Sequence, residues 1–278
     1  VIVAEAPSLQ PTLSLTKQAI ASKLELGPKS SVFGISVDPA AFQRIKSAIE
    51  DGQRPRASSV NVEALVNYFA GPPARALRDG VRLEVEGSPA VVRAEGRSGV
   101  LRFTVDTASA DIPAGASVPP VAKDAAMEID FNEKAVVRTK PIGDAAEIAP
   151  ESTLLRNMSV TGLYAVELRS NVKPTQRVAT VRLHFTSLTT GKVETLEKTV
   201  YGRDFSKPWT RATRRHRLAS LGAVWGESLI EMSGGAEVAR RAEELVTQDP
   251  ADERARELAV AATKSSQLRG VPPTGSGR

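Results

Sequence analysis

The stretch Val81-Arg-Leu-Glu-Val-Glu86 decides the fold class. Val81, Leu83 and Val85 point one way and Arg82, Glu84 and Glu86 the other, because successive Cβ atoms of an extended chain alternate across it. Val100-Leu-Arg-Phe-Thr-Val105 alternates in the same way. Beyond the Pro/Gly/Ala-rich stretch Ile112–Pro120, further strands are expected at Ala126–Phe131, Ala135–Pro141, Val160–Leu168, Arg177–Leu188 and Lys192–Tyr201. Thr189-Thr190-Gly191 marks a hairpin between the last two. Several antiparallel strands with short turns and no intervening helix predict a β-sandwich rather than a wound α/β sheet.

Helical periodicity flanks this region on both sides. Asp38-Pro39 reads as a cap followed by proline at the first helical position, with Phe42, Ile45 and Ile49 on one face and Gly52 as the stop. A second short helix is expected from Asn61, carrying Val62, Leu65, Val66 and Phe69. On the far side, Leu218, Leu221, Trp225, Leu229 and Met232 recur at three and four and end at Gly234-Gly235. Helices near Ala236–Thr247 and from Asp249-Pro250 follow, with Asp249 as the cap and Asp252 and Glu253 in the first turn. The fold class is therefore α+β: an antiparallel β-sandwich with short N-terminal helices and a C-terminal helical cap. Residues 1–30 read as an irregular arm, 31–265 as the sandwich with its helices, joined by a linker at 106–120, and 266–278 as a flexible tail.

Composition narrows the chemistry. The 278 residues are 41% apolar and 25% charged, with no Cys, two His and a formal charge of +5. Zero Cys removes disulfides, thiolate nucleophiles and Cys-ligated metal centres, leaving His184 and His216 for any imidazole chemistry. No stretch approaches the roughly 18–20 apolar residues of a membrane span. No Gly-rich phosphate loop is present, since Gly96-Arg-Ser-Gly99 and Gly191-Lys192 lack the spacing. His184 shares an outer strand face with Arg182, and no Gly-x-Ser-x-Gly elbow accompanies either histidine. Trp225 falls on an apolar helix stripe, and core packing is expected of it and of Trp209. Asn157-Met-Ser159 matches a glycosylation acceptor pattern by chance. The densest charge is Arg211-Ala-Thr-Arg-Arg-His-Arg217 with Arg240-Arg241 nearby, either a solvated helix face or an interaction patch of Arg211, Arg214, Arg215, Arg217, Arg240 and Arg241.

Three stretches carry a resemblance: Val37-Asp-Pro-Ala-Ala-Phe through Val62-Glu-Ala-Leu-Val-Asn-Tyr-Phe69, Val121-Ala-Lys-Asp124 leading into Met127-Glu-Ile-Asp-Phe-Asn132 and Ile142-Gly143, and Val160-Thr-Gly-Leu-Tyr-Ala-Val-Glu-Leu168. Together they resemble bacterial von Willebrand factor type A proteins of the YfbK kind. In that family a whole metal-binding domain lies between the first and second stretches, and here only the link around Ala108–Pro120 stands there. Its metal site needs an Asp-x-Ser-x-Ser run, and Asp106-Thr-Ala-Ser109 has the wrong spacing.

The resemblance implies the family's frame without its adhesion domain. The expected function is a non-enzymatic protein-interaction or scaffold module of the bacterial cell envelope or periplasm. No catalytic residues, cofactor or metal site are expected. The expected partners are envelope-associated proteins, with no nucleic acid and with membrane association only through a removed or separate anchor; the oligomeric state is open. The alternatives are nucleic-acid or anionic-polymer binding through the Arg211–Arg217 face, and a carbohydrate-binding sandwich or unrecognised hydrolase.

Overall fold

The strand alternation and the helical stripes assemble into three layers in a computed structural model, which describes residues 30–33, 40–72, 77–91, 97–143, 152–231 and 235–268. The strands are β1 (Ser30–Phe33), β2 (Val81–Pro89), β3 (Arg97–Thr107), β4 (Pro120–Phe131), β5 (Val136–Ile142), β6 (Ser152–Leu155), β7 (Ser159–Leu168), β8 (Arg177–Ser187) and β9 (Val193–Tyr201). The helices are α1 (Ala41–Glu50), α2 (Val62–Ala70), α3 (Arg214–Glu231), α4 (Gly235–Gln248) and α5 (Glu253–Gln267). One sheet runs β1-β4-β8-β9, with β6 also on β4, and the other runs β2-β3-β7-β5. Every strand pair among the described residues is antiparallel.

The sandwich core lies between the sheets, where Leu101, Phe103, Val105 and Tyr164 meet Met127, Ile129, Val181 and Leu183. A second core joins Phe42, Leu65, Phe69, Leu218, Trp225 and Leu258 of the helices to Val100 and Leu163 on the opposite face of β3 and β7. The β2-β3-β7-β5 sheet is thus the middle layer, covered on both sides. Trp225 is fully buried and donates Nε1–H to Ser265 Oγ at 3.1 Å, and Trp209 is buried too, so both follow the packing expectation.

The predicted strands are all present, and the Gly191 hairpin has the left-handed backbone (φ 68°) its turn requires. Gly52 ends α1 with φ 70°, and Asn61 caps α2 by accepting from Ala64 N–H at 2.8 Å. Four details differ. Strands β1 and β6 are additions of four residues each, too short for alternation to register. Strand β3 reaches Thr107, so the link is 108–119 and Asp106 is a strand residue. The cap of α5 is Asp252, accepting from Ala255 N–H at 3.1 Å, while Asp249 accepts from Ala251 in the turn before it. Gly235 opens α4 rather than closing α3. Asp38-Pro39, Met232, Gly234, most of the N-terminal arm and the end of the tail lie outside the described residues.

Candidate interaction surface

Register puts three polar rows on the helix-facing side of the middle sheet. Arg82 stands opposite Asp106, which stands opposite Ser159; Glu84 opposite Thr104 and then Thr161; Glu86 opposite Arg102. Helices α2 and α3 close over these rows. Asp106 is 0% exposed and accepts from both Nη atoms of Arg215 (2.9 and 2.8 Å), from Arg82 Nη2 (3.1 Å) and from Ser159 Oγ (2.8 Å). Burial alone would raise its pKa, but the bonds from Arg215, Ser159 and Arg82 outweigh it and hold the carboxyl below its usual range. Arg215 Nη2 also donates to Gly71 O at 2.9 Å, tying α3 to the end of α2. Asn67 of α2 accepts from Thr161 N–H at 2.7 Å, and Thr161 bonds Thr104 at 2.9 Å. Arg102, equally buried, donates to Thr104 and to Glu86 (3.3 Å).

At the end of this layer Ser88, His216 and Glu86 stand in the order of a serine–histidine–acid relay. Ser88 Oγ is 2.7 Å from His216 Nε2, and Glu86 Oε2 is 3.9 Å from His216 Nδ1. The protons run the wrong way for a nucleophile. Ser88 Oγ donates to Pro89 O at 2.8 Å, an arrangement in which Nε2 carries the hydrogen between Ser88 and His216, and Nδ1 is buried without a hydrogen-bond partner among the described residues. A serine nucleophile needs Nε2 as acceptor and Nδ1–H on the carboxylate. His216 is 0% and Ser88 2% exposed. Burial pulls the His216 pKa down to about 4. The trio is a packing contact of α3 on β2. His184, by contrast, sits on its outer strand face beside Arg182 and contacts Thr195 Oγ1 at 2.9 Å.

The six arginines of the basic patch are not one free surface. Arg215 is the clear departure from expectation: it lies inside, on Asp106. Arg214 pairs with the capping carboxylate of Asp252. Arg217 donates to Gln248 at 2.7 Å and, with Arg241, lies over the Trp209 ring. Arg240 and Arg241 bridge Glu237 and Glu244 along α4. Arg211 is exposed, and no hydrogen bond or ion pair engages its side chain among the described residues. A face that tracks phosphates needs free cations in series, and here five of the six are already engaged by the chain itself.

Arg211 instead borders a cleft that the sequence reading missed. About 360 Å³ lies between β2, β9 and the connection 202–213, lined in part by Arg203, Lys207, Tyr201 and Thr199. Arg203 and Lys207 stand outside the densest charge run, and nothing in their spacing marks them.

The link 108–119 is held at both ends by one turn between β6 and β7. Asn157, at φ 60°, donates its N–H to Ala108 O at 3.0 Å, and its side-chain amide pairs with both Ala110 N–H and Ala110 O at 2.9 Å. Neighbouring Arg156 N–H donates to Pro119 O at 3.0 Å. The residues between these anchors are largely exposed, and the sandwich strands pair without them. Among the described residues there is no cluster of three or more His, Asp or Glu fit to hold a metal ion and no helix long and apolar enough to cross a membrane.

The family model described as von Willebrand factor, vWF_A, matches residues 18–94, less than half of the chain. Within the described structure that span holds β1, α1, α2 and β2, the elements that join the helical layer to the middle sheet. The relationship is von Willebrand factor A-like over this segment. No curated protein matches the chain. Among solved structures, a FixG-related protein from Vibrio parahaemolyticus is similar at 6% identity over 45% of this chain and 97% of that one, with a TM-score of 0.23. An extracellular fragment of EsaA from Streptococcus gallolyticus is similar at 12% identity over 93% of this chain and 74% of that one, with a TM-score of 0.18.

Proposed function

We propose that the protein is a non-enzymatic protein-interaction or scaffold module of the bacterial cell envelope. The observation that carries this reading is the von Willebrand factor A-like match over residues 18–94, since proteins of that type work by binding partners. The envelope part comes from the resemblance to YfbK-type proteins in the stretches quoted above. Two features of the structure support it. The side chains best suited to acid–base or nucleophilic work, Asp106, His216 and Ser88, are buried and engaged with one another's elements. The anchored link 108–119 gives the frame an exposed segment at the place where YfbK-type proteins carry their adhesion domain.

The test is affinity capture of the intact chain from envelope and soluble fractions, with cross-linking and mass spectrometry. The expected result is a stoichiometric envelope protein cross-linked to one defined patch and retained in EDTA, because no metal holds the contact. Loss of the partner on chelation overturns the reading. So does recovery of nucleic acid that washes off with salt.

A further inference from the structure

We propose that the cleft between β2 and β9 binds an extended acidic peptide segment of a protein partner, gripped by Arg203 and Arg211. The proposal rests on the interaction-module reading and names the partner's chemistry and where it docks.

The cleft is built rather than incidental. Its outer wall, the connection 202–213, is pinned at two points. Phe205 is buried in the sandwich, its ring seated in a notch left by two glycines: a Cβ added to Gly87 would lie 2.9 Å from the ring and one on Gly99 2.5 Å from it. Trp209 is buried further along. Between and around these anchors the backbone is bonded, with Gly202 N–H on Gln176 O (2.9 Å), Arg203 N–H on Pro174 O (2.9 Å) and Arg211 N–H on Pro208 O (2.8 Å). Arg203 and Arg211 are therefore presented from fixed backbone positions, which lowers the ordering cost of binding.

Charge selects the guest. The two carboxylates of the cleft are engaged: Asp204 accepts from Tyr201 N–H (2.9 Å) and pairs with Lys207 (3.3 Å), while Glu86 accepts from Thr213 N–H (2.8 Å) and Arg102 (3.3 Å). The two guanidiniums are not. Arg203 lies over the face of Tyr201 at 4.8 Å, a stacking that leaves its N–H donors open, and Arg211 has no side-chain hydrogen bond or ion pair among the described residues. Paired guanidinium forks suit carboxylates.

The strand edges select an extended chain. Strands β2 and β9 are the outermost members of their sheets, β2 pairing with β3 and β9 with β8. Among the described residues each has one edge of backbone N–H and C=O groups without a strand partner, the groups that an added strand satisfies. Residues of both line the cleft.

The test uses the full chain and a fluorescein-labelled peptide of alternating Glu and Val, read by anisotropy against its Gln–Val counterpart. The acidic peptide should bind at least about tenfold more tightly than the neutral one. The double variant Arg203→Glu/Arg211→Glu, exposed at both positions and expected to melt like the parent, should lose at least about tenfold. Arg240→Glu, the same charge change on α4, should lose nothing. Equal binding of the two peptides, an equal loss in Arg240→Glu, or displacement by single-stranded DNA at lower concentration than by unlabelled acidic peptide overturns the proposal. Envelope capture with the double variant separates the two readings. A partner still held by it sinks the cleft and leaves the interaction module standing, whereas no partner for the parent chain sinks both.

Discussion

The two faces of the β2-β3-β7 sheet are both buried, yet they are made of different materials. Toward β4 and β8 the sheet presents Leu83, Leu101, Phe103, Val105 and Tyr164, an apolar layer held by area removed from water. Toward α2 and α3 it presents Asp106, Arg102, Thr104 and Thr161, held by hydrogen bonds between groups that are costly to bury alone. The first face tolerates any filling of the right volume and shape. The second demands specific partners from specific elements, and so fixes how the helices sit on the sandwich. The apolar layer gives cohesion, and the polar layer gives the helices their register.

That contrast is broken most forcefully at Asp106. Asp106→Ala leaves Arg215 buried without its carboxylate and should cost about 3–5 kcal/mol in denaturant unfolding, whereas Asp106→Leu with Arg215→Met should recover most of the loss. If the double replacement unfolds as readily as the single, the pair contributes more than its own charge balance. On the other face, Leu101→Ala should cost about 3 kcal/mol through cavity formation alone, whatever the pH.

Acid sharpens the distinction further. His216 has a folded pKa of about 4 against an ordinary 6.5, so between those values the unfolded chain takes up more protons than the folded one. Its contribution is complete above pH 6.5 and falls as the pH drops toward 4, by about 3 kcal/mol, and His216→Gln should flatten that stretch of the stability curve. Asp106 and Glu86, whose pKa values are held below the usual carboxylate range, add a loss in the same direction at lower pH. The smallest effect is expected where a helix is loosened without touching either layer: Asn61→Ala removes the cap of α2 and should cost about 1 kcal/mol, with thermal unfolding as the measure.

Alternation made the sandwich legible, because a period of two in Val81–Glu86 and Val100–Val105 is a local property of each strand. The helical stripes were legible for the same reason, and with them the burial of Trp225. The polar layer was not. Asp106 and Arg215 stand 109 positions apart, and nothing near either announces the other. The charge run 211–217 read as a surface because it packs four arginines into seven residues, yet one of them, Arg215, points inward. The cleft was equally hidden: Arg203 and Arg211 belong together only because Phe205 and Trp209 pin the connection that carries them.

The sequence by itself determined which side of each strand is apolar, where the helices lie, that no thiol chemistry is possible, and a von Willebrand factor A-like match over residues 18–94. Tertiary structure decided which polar faces meet water. It turned the face of Arg82, Glu84 and Glu86 toward helices from both ends of the chain, took Arg215 out of the basic patch and left Arg203 and Arg211 at an open cleft. The physical reason is that periodicity is set by neighbours in the chain, whereas the fate of a charge is set by the partner that folding brings to it.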